Sequence, residues 1–272
     1  MKKVIFLNNW GESNSDLLKR YSKQTPGNSG KWGDIEGTSN FDEADYYIVL
    51  DGHPKMLSQD KTIFVKREPD YISSRRQNYK HMIDWKDTNC GVTWWINKTY
   101  DELVVMEYPE KPKDVSCVAS SKHVHRNNYI KSLFKGDSPI DLYGYGHNHS
   151  YYGNNYKGPL NYDGKCKLRG MLDYKYNIAM ENSQQKNYWG EKLGDAFLSW
   201  CVPIYWGCTN MEDYFPEGSY HMIDMNKTKL SDIIEIVKQP VNVEALTKAR
   251  NIVLNDYNIW EVVNRKIKSI NE

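Results

Sequence analysis

Short apolar runs, each closing on a polar tip and separated from the next by a helix-like stretch, recur along this chain from end to end. Alternation of that kind builds βα units and parallel sheets. In the first half the candidate buried strands are Val4–Leu7, Tyr46–Leu50 and Thr62–Val65, with weaker ones at Val92–Ile96 and Leu103–Met106. The first three end in Asn8-Asn9, Asp51-Gly52-His53 and Lys66-Arg67-Glu68-Pro69. Ligands of open α/β sheets bind beyond the carboxyl ends of the strands, so those tips are expected to share one crevice.

The stretch Tyr108–Asp114, with two prolines and alternating charge, reads as a linker, and after it the pattern restarts. Strands are expected at Val115–Ala119, Ile140–Tyr143, Tyr176–Met180, Val202–Trp206 and Tyr220–Ile223, with helices at Asn127–Phe134 and Glu191–Cys201. The Gly-, Asn- and Tyr-rich loop 144–164 is longer than an ordinary connector. From Leu230 the chain is helical, with breaks near Pro240 and Asp256. A length of 272 residues suits two compact domains. The expected architecture is therefore α/β: two facing Rossmann-like domains, 1–112 and 113–255, with a helical C-terminal tail over 256–272.

Composition narrows the function. A formal net charge of +1 lacks the basic excess of a general nucleic-acid binder but leaves room for a local cationic pocket. No apolar run is long enough for a membrane span, and Val4–Leu7 is too short for the core of a signal peptide. Five cysteines, an odd number without a CxxC pair, suit a reducing compartment, so a cytoplasmic location is expected. The 21 Tyr and 9 Trp serve either packing or sugar binding, and position decides which. His123/His125 and His147/His149 have the spacing of a chelating pair on a strand, yet both lie in loops without a carboxylate or thiol nearby in sequence. There is no Asp-x-Asp either, so no metal is expected.

The most informative segment runs from Tyr174 to Gly207. A buried strand closes on Glu181-Asn182, and a polar loop with Tyr188 leads into a helix opened by Glu191-Lys192. Helix N-termini attract anions, and Lys192 adds a full charge there. Glu191, an acceptor only, suits ribose hydroxyls. Together they fit a nucleoside diphosphate; alternatively Glu191 merely complements the helix dipole and Lys192 is a solvated charge.

Taken whole, the segment Tyr-Lys-Tyr…Glu-Asn-Ser…Tyr-Trp-Gly-Glu-Lys…Asp-Ala…Pro-Ile-Tyr-Trp-Gly resembles the donor-binding motif of the family-ten glycosyltransferases, the α-1,3/1,4-fucosyltransferases. The resemblance implies a GT-B fold and a GDP-fucose co-substrate bound mainly by the second domain. It implies that Lys192 and Arg126 hold the diphosphate, Glu191 the ribose, and that Asn182 and Tyr188 line the donor site. Glu68, just before Pro69, falls where the family carries a glutamate, and is the candidate general base; a surface ion pair with Arg67 or Lys66 is the alternative. Asp51 and Glu43 are the next carboxylates to consider. Trp10, His53 and Trp32 are candidates for the acceptor side. Gly190 stands where the family has threonine and Trp189 where it has a small apolar residue, so a reshaped donor pocket is expected. The implied reaction is metal-independent, inverting transfer of fucose to a carbohydrate hydroxyl. Its rivals are another GDP-sugar such as GDP-mannose, or a catalytically inactive nucleotide- or glycan-binding module.

Overall fold

The computed structural model describes residues 1–69, 79–160 and 165–272. In the first half β1 (Lys2–Leu7), β2 (Lys31–Trp32), β3 (Ile35–Gly37), β4 (Tyr46–Leu50), β5 (Thr62–Lys66) and β6 (His81–Asp84) form one sheet in the order β2-β3-β1-β4-β5-β6. Its pairings are parallel except for the β2–β3 hairpin. In the second half β7 (Lys113–Val118), β8 (Ile140–Tyr143), β9 (Tyr174–Gln185), β10 (Val202–Cys208) and β11 (His221–Met222) pair in parallel in the order β11-β10-β9-β7-β8. Setting the short β2 aside, both sheets are doubly wound in the same sense. The winding reverses between β1 and β4 in one, and between β7 and β9 in the other. Such reversals leave a crevice at the carboxyl ends of the flanking strands, the usual ligand position in open α/β sheets.

Helices connect and follow the strands. They are α1 (Asn14–Ser22), α2 (Tyr100–Val104), α3 (Val124–Ser132), α4 (His149–Tyr152), α5 (Lys165–Arg169), α6 (Glu191–Leu198), α7 (Leu230–Val237), α8 (Val243–Asn251) and α9 (Ile259–Asn271). α1 starts where the Ser13 hydroxyl accepts the Asp16 N–H, and it buries Leu17 and Tyr21. α9 does not pack on the half that precedes it. It buries Trp260, Val263 and Ile267 in the core of the first sheet beside Val4, Phe6 and Tyr21. The Trp260 indole N–H donates to the Tyr21 carbonyl at 2.9 Å. The chain thus begins and ends on the same core.

Two expected strands are absent. Of Leu103–Met106, Leu103 and Val104 are instead the end of α2, with Val105 as its C-cap, because Thr99 and Glu102 form a capping box that starts a helix just upstream. Val92–Ile96 is an extended crossing segment whose backbone is tied at single points. The Val92 N–H donates to Tyr257 O at 2.7 Å, and the Trp95 N–H to Asp195 Oδ1 at 2.9 Å. Its Val92, Trp94 and Ile96, with Leu103, enter the core of the second sheet.

The expected linker is likewise anchored: Lys111 is buried, its ammonium donating to Leu172 O at 2.6 Å and Ser199 O at 2.7 Å. Of the long loop 144–164, residues 149–152 form α4 and 161–164 lie outside the described residues. Cys90, Cys117, Cys201 and Cys208 are buried free thiols. Among the described residues no helix is long and apolar enough to cross a membrane.

Candidate active site

A cleft of about 290 Å³ lies between the two halves. From the first sheet come Trp10 beyond β1, Asp51 beyond β4, and Arg67 and Glu68 beyond β5. From the second come Glu181 of β9 and the start of α6, Glu191 and Lys192. A smaller pocket of about 140 Å³ opens at the reversal between β7 and β9, walled by Ser120, Arg126, Lys167 and Asn177. Glu191 and Lys192 border both, so the Glu-Lys pair sits where the two spaces meet.

The pair is held by a residue to which the sequence reading gave no role. β9 runs on past its apolar stretch to Gln185 and carries Glu181, whose side chain is 1% exposed. One carboxylate oxygen accepts the Gly190 N–H at 2.9 Å, capping α6, and the other accepts from Lys192 Nζ at 3.3 Å. Lys192 also donates to Glu191 at 2.7 Å. Burial works against the Lys192 charge, but Glu191 and Glu181 outweigh it and hold the ammonium above the ordinary lysine range. Burial lifts Glu191 too, yet the Lys192 charge prevails and brings its carboxyl below the usual range. Glu181 shifts upward, because burial exceeds what Lys192 gives back. Lys192 is thus a fixed cation rather than a solvated one.

Arg126 on α3 is 4% exposed and donates to Met180 O at 2.8 Å, while its buried Nε has no partner. Arg126 thus puts a cation at the wall of the smaller pocket, which Lys192 also lines, a setting that suits an acceptor such as a phosphate oxygen.

Across the cleft, β5 is buried along its whole length and delivers Arg67-Glu68-Pro69 at its carboxyl end. A residue before proline is restricted to extended backbone, which fixes the direction in which Glu68 leaves the strand. Glu68 is half-buried, and its Oε2 accepts from Asn182 Nδ2 at 3.3 Å, a bond that joins the two halves. Burial chiefly, and then Asp51, raise its carboxyl above the ordinary glutamate value. The alternative of a surface ion pair is set aside: Arg67 is bonded to Asp51 at 2.8 Å and Lys66 faces Asp84 at 3.7 Å. Glu43 is remote from the cleft lining, paired with Lys3 at an exposed position.

Of the remaining residues singled out in the sequence, Tyr188 is buried and lines the cleft beside Trp85, ring centroids 6.2 Å apart. Trp10 is at the cleft and 46% exposed. Trp32 and His53 are not. Trp32 lies on β2 at the far edge of the sheet, its N–H donating to Glu261 of α9 at 2.8 Å and its ring edge-on to Tyr100. The Gly-rich setting of Trp32 reflects the β2–β3 hairpin rather than a binding loop. The His53 ring closes a local turn with Lys55. Trp85 and Trp95 line the cleft instead. Both sit in segments whose pattern did not resolve into clear strands.

The two departures from the family pattern act differently. Trp189 borders the cleft, and its ring packs in a cluster with Tyr214, Phe215 and Tyr257. At Gly190 an added Cβ would come no closer than 3.9 Å to the Glu181 carboxylate, so a side chain fits and its lack widens the space there. Among the described residues no three His, Cys, Asp or Glu side chains gather as a metal site. His147 instead contacts Ala119 O at 3.0 Å, and His125 packs near Trp206.

Two doubly wound α/β sheets facing across a cleft define a GT-B-type fold. A solved α1,3-fucosyltransferase structure with GDP-fucose superposes on it with a TM-score of 0.55 and 17% identity, covering 100% of this chain and 90% of that one. The family model "Glycosyltransferase family 10 (fucosyltransferase) C-term" matches residues 108–243, half of the chain, and the chain belongs to that family. The 4-galactosyl-N-acetylglucosaminide 3-alpha-L-fucosyltransferase 9 of Homo sapiens is 32% identical over 190 residues, 66% of this chain and 49% of the relative. The α-(1,3)-fucosyltransferase of Helicobacter pylori is 31% identical over 87 residues, 32% of this chain and 18% of that protein. The alignment to the mammalian relative spans about half of its length.

Proposed function

We propose that this chain transfers fucose from GDP-fucose to a carbohydrate hydroxyl by a single inverting displacement without a metal ion. The observation that carries the reading is the placement of one desolvated carboxylate, Glu68, across the cleft from a fixed cation, Lys192, with the buried Arg126 behind it. In this reading the diphosphate lies along Lys192 and Arg126, and the ribose hydroxyls meet Glu191. The acceptor sits on the first-sheet side against Trp10, Trp85 and Trp95, whose ring faces suit sugar C–H groups. Glu68 takes the proton as the acceptor oxygen attacks the anomeric carbon and the bond to GDP breaks. Lys192 and Arg126 meet the charge left on the diphosphate, stabilisation that is strongest in a water-poor site. A carboxyl held above the usual range is a better proton acceptor than an ordinary one.

The test offers labelled GDP-fucose, GDP-mannose and UDP-galactose with a panel of glycan acceptors. Product from GDP-fucose alone supports the reading. Product from GDP-mannose alone, or GDP binding without any turnover, refutes it in favour of another donor or a binding module.

A further inference from the structure

We propose that Asp51 and Arg67 are the positioning residues of Glu68: their ion pair fixes the loop that carries it and sets how readily its carboxyl takes a proton. The inference rests on the reading of Glu68 as the base.

Asp51 is at a costly place in the chain. It directly follows β4 with φ 60°, a left-handed conformation that a non-glycine residue adopts only where its surroundings hold it there. What holds it is the loop after β5. Asp51 Oδ1 accepts the Arg67 N–H at 2.7 Å and the Glu68 N–H at 3.1 Å. Asp51 Oδ2 accepts from Arg67 Nε at 3.0 Å and from its terminal nitrogen at 2.8 Å. One carboxylate therefore takes the two successive backbone donors that aim Glu68, and clamps the guanidinium between them. The outer side of that guanidinium is closed by the Trp10 ring at 5.1 Å and the Thr93 hydroxyl at 3.2 Å. With both oxygens committed, Asp51 is unsuited to act as a base itself.

The same ion pair bears on the Glu68 charge. Burial raises its carboxyl most, Asp51 and Glu191 add to the rise, and Lys192 and the Asn182 bond oppose it. Arg67, opposite in charge to Asp51 and bonded to it, is expected on Coulomb grounds to act on Glu68 with the opposite sign. Neutralising Asp51 eases ionisation of Glu68; removing the Arg67 charge leaves Asp51 uncompensated and hinders it.

The experiment measures kcat against pH, with GDP binding and melting temperature as controls, for Asp51→Asn, Arg67→Met, Glu68→Gln and the Asp51→Asn/Glu68→Gln double variant. A base must be ionised, so activity falls on the acid side. Asp51→Asn should move that acid limb to lower pH and Arg67→Met should move it to higher pH. Opposite shifts from the two ends of one ion pair are not produced by general destabilisation. Asp51→Asn and Arg67→Met should each lose about ten- to a hundredfold in kcat, no more than the low end of the roughly 10²–10⁴ that loss of the base itself would cost, with GDP affinity near wild type. Because Asp51 acts through Glu68, the double variant should be no slower than Glu68→Gln alone. Unshifted or same-direction limbs, or fully additive losses, overturn the positioning role while leaving Glu68 as base. Near wild-type kcat in Glu68→Gln overturns the base, and the positioning role with it.

Discussion

The contact between Lys192 and Glu181 makes a structural demand and a functional one on the same residue, and they can be separated. Lys192→Met keeps the aliphatic stem but removes donors at 2.7 and 3.3 Å from Glu191 and Glu181. Glu181, 1% exposed, would keep its bond from the Gly190 N–H but lose its cationic partner. Orphaning one member of a fully buried ion pair costs about 3–5 kcal/mol. Lys192 is 22% exposed, so a lower figure of about 1.5–3 kcal/mol is the expectation. For a chain of this size that lowers Tm by roughly 4–10 °C.

The pH dependence has a definite sign. The Glu181 carboxyl already lies above its ordinary range through burial, and losing Lys192 lifts it further. A group raised in the folded state stabilises fully below its unfolded pKa and loses that contribution as pH rises through the folded one. The deficit of Lys192→Met should therefore be largest near neutrality and shrink as the buffer is acidified toward about pH 5. Adding Glu181→Gln removes the orphaned charge while keeping an acceptor for Gly190, and should restore most of the Tm. GDP affinity should stay ten- to a hundredfold weak in both variants, the equivalent of about 1.5–3 kcal/mol for one charged hydrogen bond. Calorimetric melting and GDP titration read the two effects. Unchanged Tm in Lys192→Met, or GDP affinity regained in the double variant, refutes the reasoning.

Transfer should survive excess EDTA and gain nothing from added Mg²⁺ or Mn²⁺; loss in EDTA restored by metal would contradict the role given to Lys192 and Arg126. Trp260→Ala empties a fully buried position in the first core and removes the bond to Tyr21 O. It should cost about 3–5 kcal/mol, and a Tm near wild type would show that α9 is dispensable. Trp10→Ala should raise the acceptor KM more than the donor KM, whereas Trp32→Ala should lower Tm and leave both constants alone; the reverse pattern would return Trp32 to the acceptor side.

Much of the fold was legible because buried parallel strands announce themselves as continuous apolar runs. Tyr46–Leu50 and Ile140–Tyr143 match their expected bounds to the residue. The misses have physical causes. β6, His81–Asp84, is polar at both ends and follows a basic stretch, so no apolar run marked it. Val92–Ile96 has the composition of a strand because it is buried, although it crosses between cores instead of pairing. In the site, Glu68 stood out at the polar tip of an apolar run, and Glu191 and Lys192 at the opening of a helix in a segment that resembles the family's donor motif. Glu181 stood at such a tip as well, but its role as the anchor of Lys192 depends on a return of the chain nine residues later at Gly190. The clamp of Asp51 on Arg67 spans 16 residues and two strands, a pairing that only the sheet order reveals. Trp32 misled because a glycine-flanked tryptophan looks the same in a hairpin as in a binding loop.

The central claim is that Glu68 is the base for transfer to a sugar hydroxyl. Its most direct measurement is the kcat of Glu68→Gln with GDP-fucose and a reactive acceptor, taken beside GDP affinity and Tm. Glutamine keeps the size of the side chain and can still bond Asn182, but it cannot take the proton. Removing general-base help should lower kcat by about 10²–10⁴-fold, with GDP affinity and Tm near wild type, the mark of an interaction made only in the transition state. A variant that keeps more than about a tenth of wild-type kcat, or that loses GDP binding together with turnover, would contradict the account.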